Sequence, residues 1–236
     1  MANAITKSFS IKVLSTNTTY DSLTDMEWAL NNPNSCIGQP VRQSDVVTIP
    51  FGRQYDSTEK VYGQPYYIGR VLTMKCGVKN SNLLTYQSTI RNLFDGQRVQ
   101  IIFSDDLTYY WEGIVSIQNY ETKRNLATFD FVVDADAYKY STTLTTHTLS
   151  ISPPLTQVFT ASEQPTPVFF DGSVDTDTNI QWTANGKTYN YVIKGNTYMS
   201  DFEIPFMFNG PLTSQFTITS GSWTEPLTVK YRVRSL

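Results

Sequence analysis

Asn179–Ile193, NIQWTANGKTYNYVI, places two strand-like runs on either side of Asn185-Gly186. Asn-Gly is a strong hairpin signal, because both central positions of the tight turn take a positive φ. Working outward, further turn signals recur at Pro153-Pro154, Asp171-Gly172, Asn209-Gly210-Pro211 and Ser220-Gly221-Ser222. Between them lie Thr148–Ile151, Val158–Ala161, Thr166–Phe170, Lys187–Ile193, Asp201–Phe206, Ser214–Thr219 and Leu227–Val233, each short and rich in β-branched or aromatic residues. With Asn179–Ala184 they make eight strands in about ninety residues, which predicts a β-sandwich or jelly-roll module.

The preceding half reads differently. Ser8–Ser15 alternates through Phe9, Ile11 and Val13, the period-2 pattern of a strand. Asp21–Asn31 is expected to form a short helical turn before Asn32-Pro33-Asn34. Strands are expected at Asp45–Pro50 and Tyr66–Lys75, joined by a long polar connection, Phe51–Pro65, of the length that usually serves a contact. Ser81–Asp95 is the one clear helix, with Leu83, Tyr86, Ile90, Leu93 and Phe94 on one face. Asn80 or Ser81 is its expected cap, and Gly96 its left-handed stop. Strands around Val99–Phe103, Thr108–Ile117 and Asn125–Val133 follow, the first pair turning at Ser104-Asp105-Asp106. The hydrophobic period then lapses over Asp134–Thr146, which marks a boundary between domains 1–141 and 142–236. No repeat links the two halves.

Composition narrows the function. The chain of 236 residues carries 18 basic and 21 acidic side chains, so no excess of positive charge is available to neutralise a nucleic-acid backbone. Its 15 Tyr and 13 Phe suit half-buried strands and argue against disorder. The two cysteines, Cys36 and Cys76, make neither a zinc site nor a disulfide scaffold by themselves and are expected to be reduced. No apolar core of a signal peptide begins the sequence, and no stretch has the apolar length of a membrane span, so synthesis in the cytoplasm is expected.

Catalytic chemistry has little to work with. The single histidine, His147, lies in a threonine-rich stretch and is expected to be an exposed connector residue. Asp105-Asp106 sit where a turn favours aspartate. Asp171, Asp175 and Asp177 lack the spacing and terminal glutamate of a calcium loop, so no metal is expected. Asp134 and Asp136 read as linker residues. No phosphate loop or dinucleotide fingerprint occurs, so no cofactor is expected. Trp28, Trp111, Trp182 and Trp223 read mainly as packing residues, although Trp182 and Trp223 offer rings on which a sugar could stack.

Two stretches carry a resemblance. In Val46–Arg70, VVTIPFGRQYDSTEKVYGQPYYIGR, residues Ile49-Pro50, Gly52-Arg53, Asp56, Thr58-Glu59, Gly63, Tyr67 and Arg70 resemble a segment of the distal tail proteins of long-tailed siphophages. Phe51 precedes the glycine and Tyr55 replaces a second one, both departures from that pattern. The second run, RNLFDGQRVQIIFSDD, TYYWEGIVS and TFDFVVDADAYKY, resembles the same family, with Ala137 where proline is usual, and the closing LTVKYRVRSL resembles its last strand. The resemblance implies a mainly β fold: an N-terminal β-sandwich or split-barrel-like domain with one helix and an extended hairpin, then a C-terminal galectin-like sandwich. It implies a hexameric hub ring, single or in two rings back to back, at the virion tail tip. The ring would join the tail tube to tail-associated and receptor-binding proteins, with DNA only passing through the channel and no membrane involved. Ile49, Pro50, Phe51, Arg53, Tyr55, Tyr62 and Tyr66 are the candidate inter-subunit hairpin residues. A carbohydrate-binding module for host-wall glycan and a tail-tube ring subunit are the alternatives.

Overall fold

The computed structural model describes residues 7–44, 46–48, 54–56, 66–149, 153–159, 164, 166–184, 187–209 and 214–236. Over these the chain is mainly antiparallel β with one helix, as the sequence predicts. It divides into two compact units, Met1–Lys139 and Tyr140–Leu236.

The first unit holds β1 (Phe9–Val13), β2 (Thr18–Asp21), β3 (Ala29–Leu30), β4 (Val41–Gln43), β5 (Val46–Thr48), β6 (Gln54–Asp56), β7 (Tyr66–Lys79), α1 (Leu83–Phe94), β8 (Arg98–Phe103), β9 (Tyr109–Lys123) and β10 (Leu126–Ala135). One sheet runs in the order β2-β1-β8-β9-β10-β7-β3, with β4 also paired to β7. Alternate residues face the core: Ala127, Phe129, Phe131, Val133 and Ala135 from β10 lie beside Leu72, Met74, Cys76 and Val78 from β7. α1 closes this face with Ile90 and Phe94, while Leu83, Tyr86 and Leu93 pack around them. Trp28 fills the centre, 5.1 Å from the Phe129 ring and 5.8 Å from that of Phe94. Its indole N–H donates to the Tyr86 hydroxyl, which donates in turn to the Met26 carbonyl, so neither polar tip is stranded among apolar rings.

Three local expectations change. Asp21–Asn31 is a turn running into β3, not a helical turn. Asp21 Oδ1 accepts the Leu23 and Thr24 N–H groups, each at 2.9 Å, and that local bonding competes with a helical turn. The cap of α1 is Asn82, whose side-chain Oδ1 accepts the Thr85 N–H, because the Asn80 side chain is already spent on the Asn82 N–H. The connection expected over Phe51–Pro65 contains β6, which pairs with β5 in a two-stranded ribbon of its own.

The second unit holds β11 (Lys139–Ser141, begun at the boundary), β12 (Thr145–Leu149), β13 (Leu155–Phe159), β14 (Thr166–Val174), β15 (Thr178–Ala184), β16 (Lys187–Ile193), β17 (Thr197–Asn209), β18 (Ser214–Ser220), β19 (Leu227–Tyr231) and β20 (Arg234–Ser235). Sheets β12-β19-β14-β17 and β13-β18-β15-β16 face one another across a core of Phe170, Trp182, Phe216, Ile218, Leu227 and Val229. The Phe170 and Phe216 rings, one from each sheet, lie 5.4 Å apart. The β15–β16 hairpin pairs Ala184 with Lys187; Asn185 and Gly186 lie outside the described residues. Arg232 fastens the start of the unit to its end, donating to the carbonyls of Ser141 at 3.1 Å and Thr142 at 2.7 Å.

Candidate functional site

The quoted stretches meet in the first unit at Arg70. Its place in β7 falls on the inward-facing parity with Leu72 and Met74, where an arginine must bury its charge or find partners. Only 6% of it is exposed. Its Nε–H donates to the Ala137 carbonyl at 2.9 Å, and its guanidinium carbon lies 4.4 Å from the centre of the Trp111 ring. Nη2 is buried with no hydrogen-bond partner among the described residues. Burial pushes the guanidinium below its ordinary pKa, and the neighbouring Tyr138 acts in the opposite direction.

The three segments are locked together around this point. Tyr67 sets its ring edge-on to Tyr138 at 6.3 Å. The Asp136 N–H donates to the Glu112 carbonyl at 2.9 Å. Lys139 Nζ reaches Asp106 Oδ2 at 2.9 Å and sits 4.6 Å from the centre of the Tyr109 ring. A backbone carbonyl, not a side chain, receives Arg70, so alanine at 137 serves as proline would. Ala137 and Tyr138 are buried, which makes Asp134–Lys139 an anchored segment and overturns the linker reading of Asp134 and Asp136.

The candidate hairpin is only partly in view. Tyr55 lies in β6 opposite Val47, and Tyr66 opens β7 opposite Gln43. Ile49, Pro50, Phe51, Arg53 and Tyr62 lie outside the described residues. The outer face of the main sheet carries exposed apolar groups. Val71 and Ile114, 46% and 50% exposed, flank Asp134 in one row, and Val41 is exposed nearby on β4.

Neither a family model nor a curated protein matches this chain. Among solved structures it is similar to SPP1 Dit, described as a paradigm of the hub adsorption apparatus in phages infecting Gram-positive bacteria. The match covers 97% of this chain and 99% of that one, at 15% identity and a TM-score of 0.49. A likeness of that degree carries no function with it.

The remaining chemical candidates find other work. His147 belongs to β12, opposite Val229, and stacks on Tyr231 at 6.0 Å; it is half-buried, not an exposed connector. Asp105 pairs with Lys7 at 2.8 Å. Asp171 shares Lys230 with Asp201, Asp175 accepts from the Thr224 hydroxyl, and Asp177 pairs with Lys194. Among the described residues no three His, Cys, Asp or Glu side chains gather as a metal would need. Trp182 and Trp223 are 1% and 3% exposed, so neither ring is offered to a sugar. Cys36 and Cys76 are free and buried. No helix among the described residues is long and apolar enough to cross a membrane.

Sequence reasoning placed Arg70 in a motif but not among the site residues. The available signal was its parity: a cation on the inward side of an apolar alternation.

Proposed function

We propose that this chain is a structural subunit of a long-tailed bacteriophage tail tip. Its first unit forms a hexameric hub ring that joins the tail tube to tail-associated and receptor-binding proteins. The observation supporting this is the convergence at Arg70: three family-like stretches, far apart in sequence, supply the arginine, the indole beneath it and the carbonyl that receives it. Matching residues that also form one physical unit are harder to obtain by chance than matching letters. The exposed Val71, Ile114 and Val41 add an apolar surface of the kind that a neighbouring copy covers in a ring. The candidate residues Ile49, Pro50, Phe51, Arg53, Tyr55, Tyr62 and Tyr66 would reach that neighbour.

In this reading the subunit works by assembly and needs no catalytic group or cofactor. Its place is the virion tail tip after assembly in the host cytoplasm, with a galectin-like second unit on the ring. A slightly acidic balance suits a channel through which DNA passes without being gripped. The glycan alternative drew on Trp182 and Trp223, and both rings are inside the sandwich.

Negative-stain electron microscopy of the purified chain tests the proposal. Closed six-membered rings, lost on deletion of residues 51–64 while far-ultraviolet circular dichroism is kept, are the expected result. Indefinitely stacked tubes would favour a tail-tube subunit. Monomers at all concentrations, alone and with the tube protein, would end the hub reading.

A further inference from the structure

The two sheets of the second unit differ in how they meet solvent. On β12-β19-β14-β17 the outward positions carry Lys230 between Asp171 and Asp201, with Glu203 exposed nearby. On β13-β18-β15-β16 the outward positions carry no charge and no aromatic ring among the described side chains. Thr156, Thr217, Gln181 and Asn190 form one row across all four strands. Gln215, Thr183 and Thr188 continue the next row, which ends at Val158.

These groups are already held in place by one another. The Thr156 and Thr217 hydroxyls are 3.2 Å apart, those of Thr183 and Thr188 are 3.0 Å apart, and the Gln181 side-chain N–H donates to Asn190 Oδ1 at 3.4 Å. Each hydroxyl and amide both donates and accepts, so the face is complementary to itself. A two-fold contact sets a patch against its own copy, where any fixed charge near the axis would meet its like. Depletion of charge is also what marks the centre of an interface. A sugar-binding face would offer a ring for stacking, and here the tryptophan of β15 points inward.

We infer that the β13-β18-β15-β16 face is a self-association surface, docking on the same face of a second copy about a two-fold axis. Its size sets the strength. Four strands about 4.8 Å apart, with residues rising about 3.3 Å each, give a face of about 450 Å² per copy. The pair then buries about 900 Å², below the range of stable standard-sized complexes, so the contact is weak and concentration-dependent. It does not depend on the ring proposed above. It appears as a doubling of whatever species the chain forms when dilute.

Sedimentation velocity of the full chain over a wide concentration range tests it. Thr217 lies mid-face, so Thr217→Lys and Thr217→Glu should each shift the doubling to at least about tenfold higher concentration, a change in affinity of about one decade. An equimolar mixture of the two should recover it. Thr148→Lys, on the other sheet, should leave it unchanged, and Asn190→Lys should repeat the loss should Thr217 variants fold poorly. No doubling in the wild type, or one that all the variants share, overturns the inference. So does a soluble neutral glycan that shifts the Gln181 and Asn190 side-chain amide resonances while sedimentation of wild type and variants stays the same.

Discussion

Replacing Arg70 by alanine removes the Nε–H bond to Ala137 and the cation lying on Trp111 in one step. A hydrogen bond from a charged donor contributes about 1.5–3 kcal/mol. A desolvated cation over an indole contributes about 2 kcal/mol. Against these stand the cost of burying the charge and the stranded Nη2, which together cancel part of the gain. The net loss for Arg70→Ala is then about 2–4 kcal/mol in the first unit. Arg70→Met keeps an apolar stem on Trp111 and removes both the buried charge and the orphan donor. What it leaves is the Ala137 carbonyl without its donor, worth about 1–2 kcal/mol. Urea unfolding at 25 °C, followed by tryptophan fluorescence and circular dichroism, gives both values. A loss for Arg70→Ala within about 0.5 kcal/mol of zero would mean that Arg70 does not tie the segments together. A methionine variant as unstable as the alanine one would show that the charge, and not the packing on Trp111, is what matters.

Gly113→Ala should destabilise the first unit by about 2–3 kcal/mol in the same assay, because its Cβ would meet the Asp134 carbonyl oxygen and the Ala135 Cα of β10, both backbone atoms. In the second unit, burial would raise Asp171, but the hydrogen bond from Lys230, with help from the Asp201 N–H, holds it below its ordinary value. Lys230 is raised in turn by its bonds to Asp171 and Asp201. The depressed carboxyl gives stability that is present above its unfolded pKa and lost as pH falls through the folded one. The raised lysine gives stability that is present below its unfolded pKa and lost as pH rises through the folded one. Lys230→Met should therefore flatten both limbs of the urea midpoint plotted against pH; unchanged limbs would count against this pairing. Burial raises both Cys76 and Cys36 above the ordinary thiol range, so neither should react with a disulfide reagent at pH 8 until denaturant is added. Rapid labelling of the native protein would contradict that burial.

Much of the fold was legible because strand formation leaves a local trace. Alternation in Phe9, Ile11 and Val13, helical spacing over Leu83–Phe94 and the Asn185-Gly186 signal each depend on neighbours a few residues away. The misreadings arose where a side chain's partner could not be read locally. Asp21–Asn31 has the local composition of a short helical turn, but the Asp21 carboxylate accepts the Leu23 and Thr24 N–H groups and holds a turn instead. The threonines around His147 carry no clear hydrophobic period and read as a connector, yet β19 pairs with that stretch and makes it a strand.

The amino-acid order alone established an antiparallel β protein with one helix, since backbone preference and apolar period are properties of a short window. It also supplied the motifs on which the tail-tip proposal began. Only the tertiary structure decided that Arg70, Trp111 and Ala137 form one cluster, that Trp182 turns inward, and that one sheet of the second unit shows solvent no charge among its described side chains. Those facts depend on strand register and on which face meets the core. Register brings together residues separated by tens of positions, and no local pattern encodes that distance.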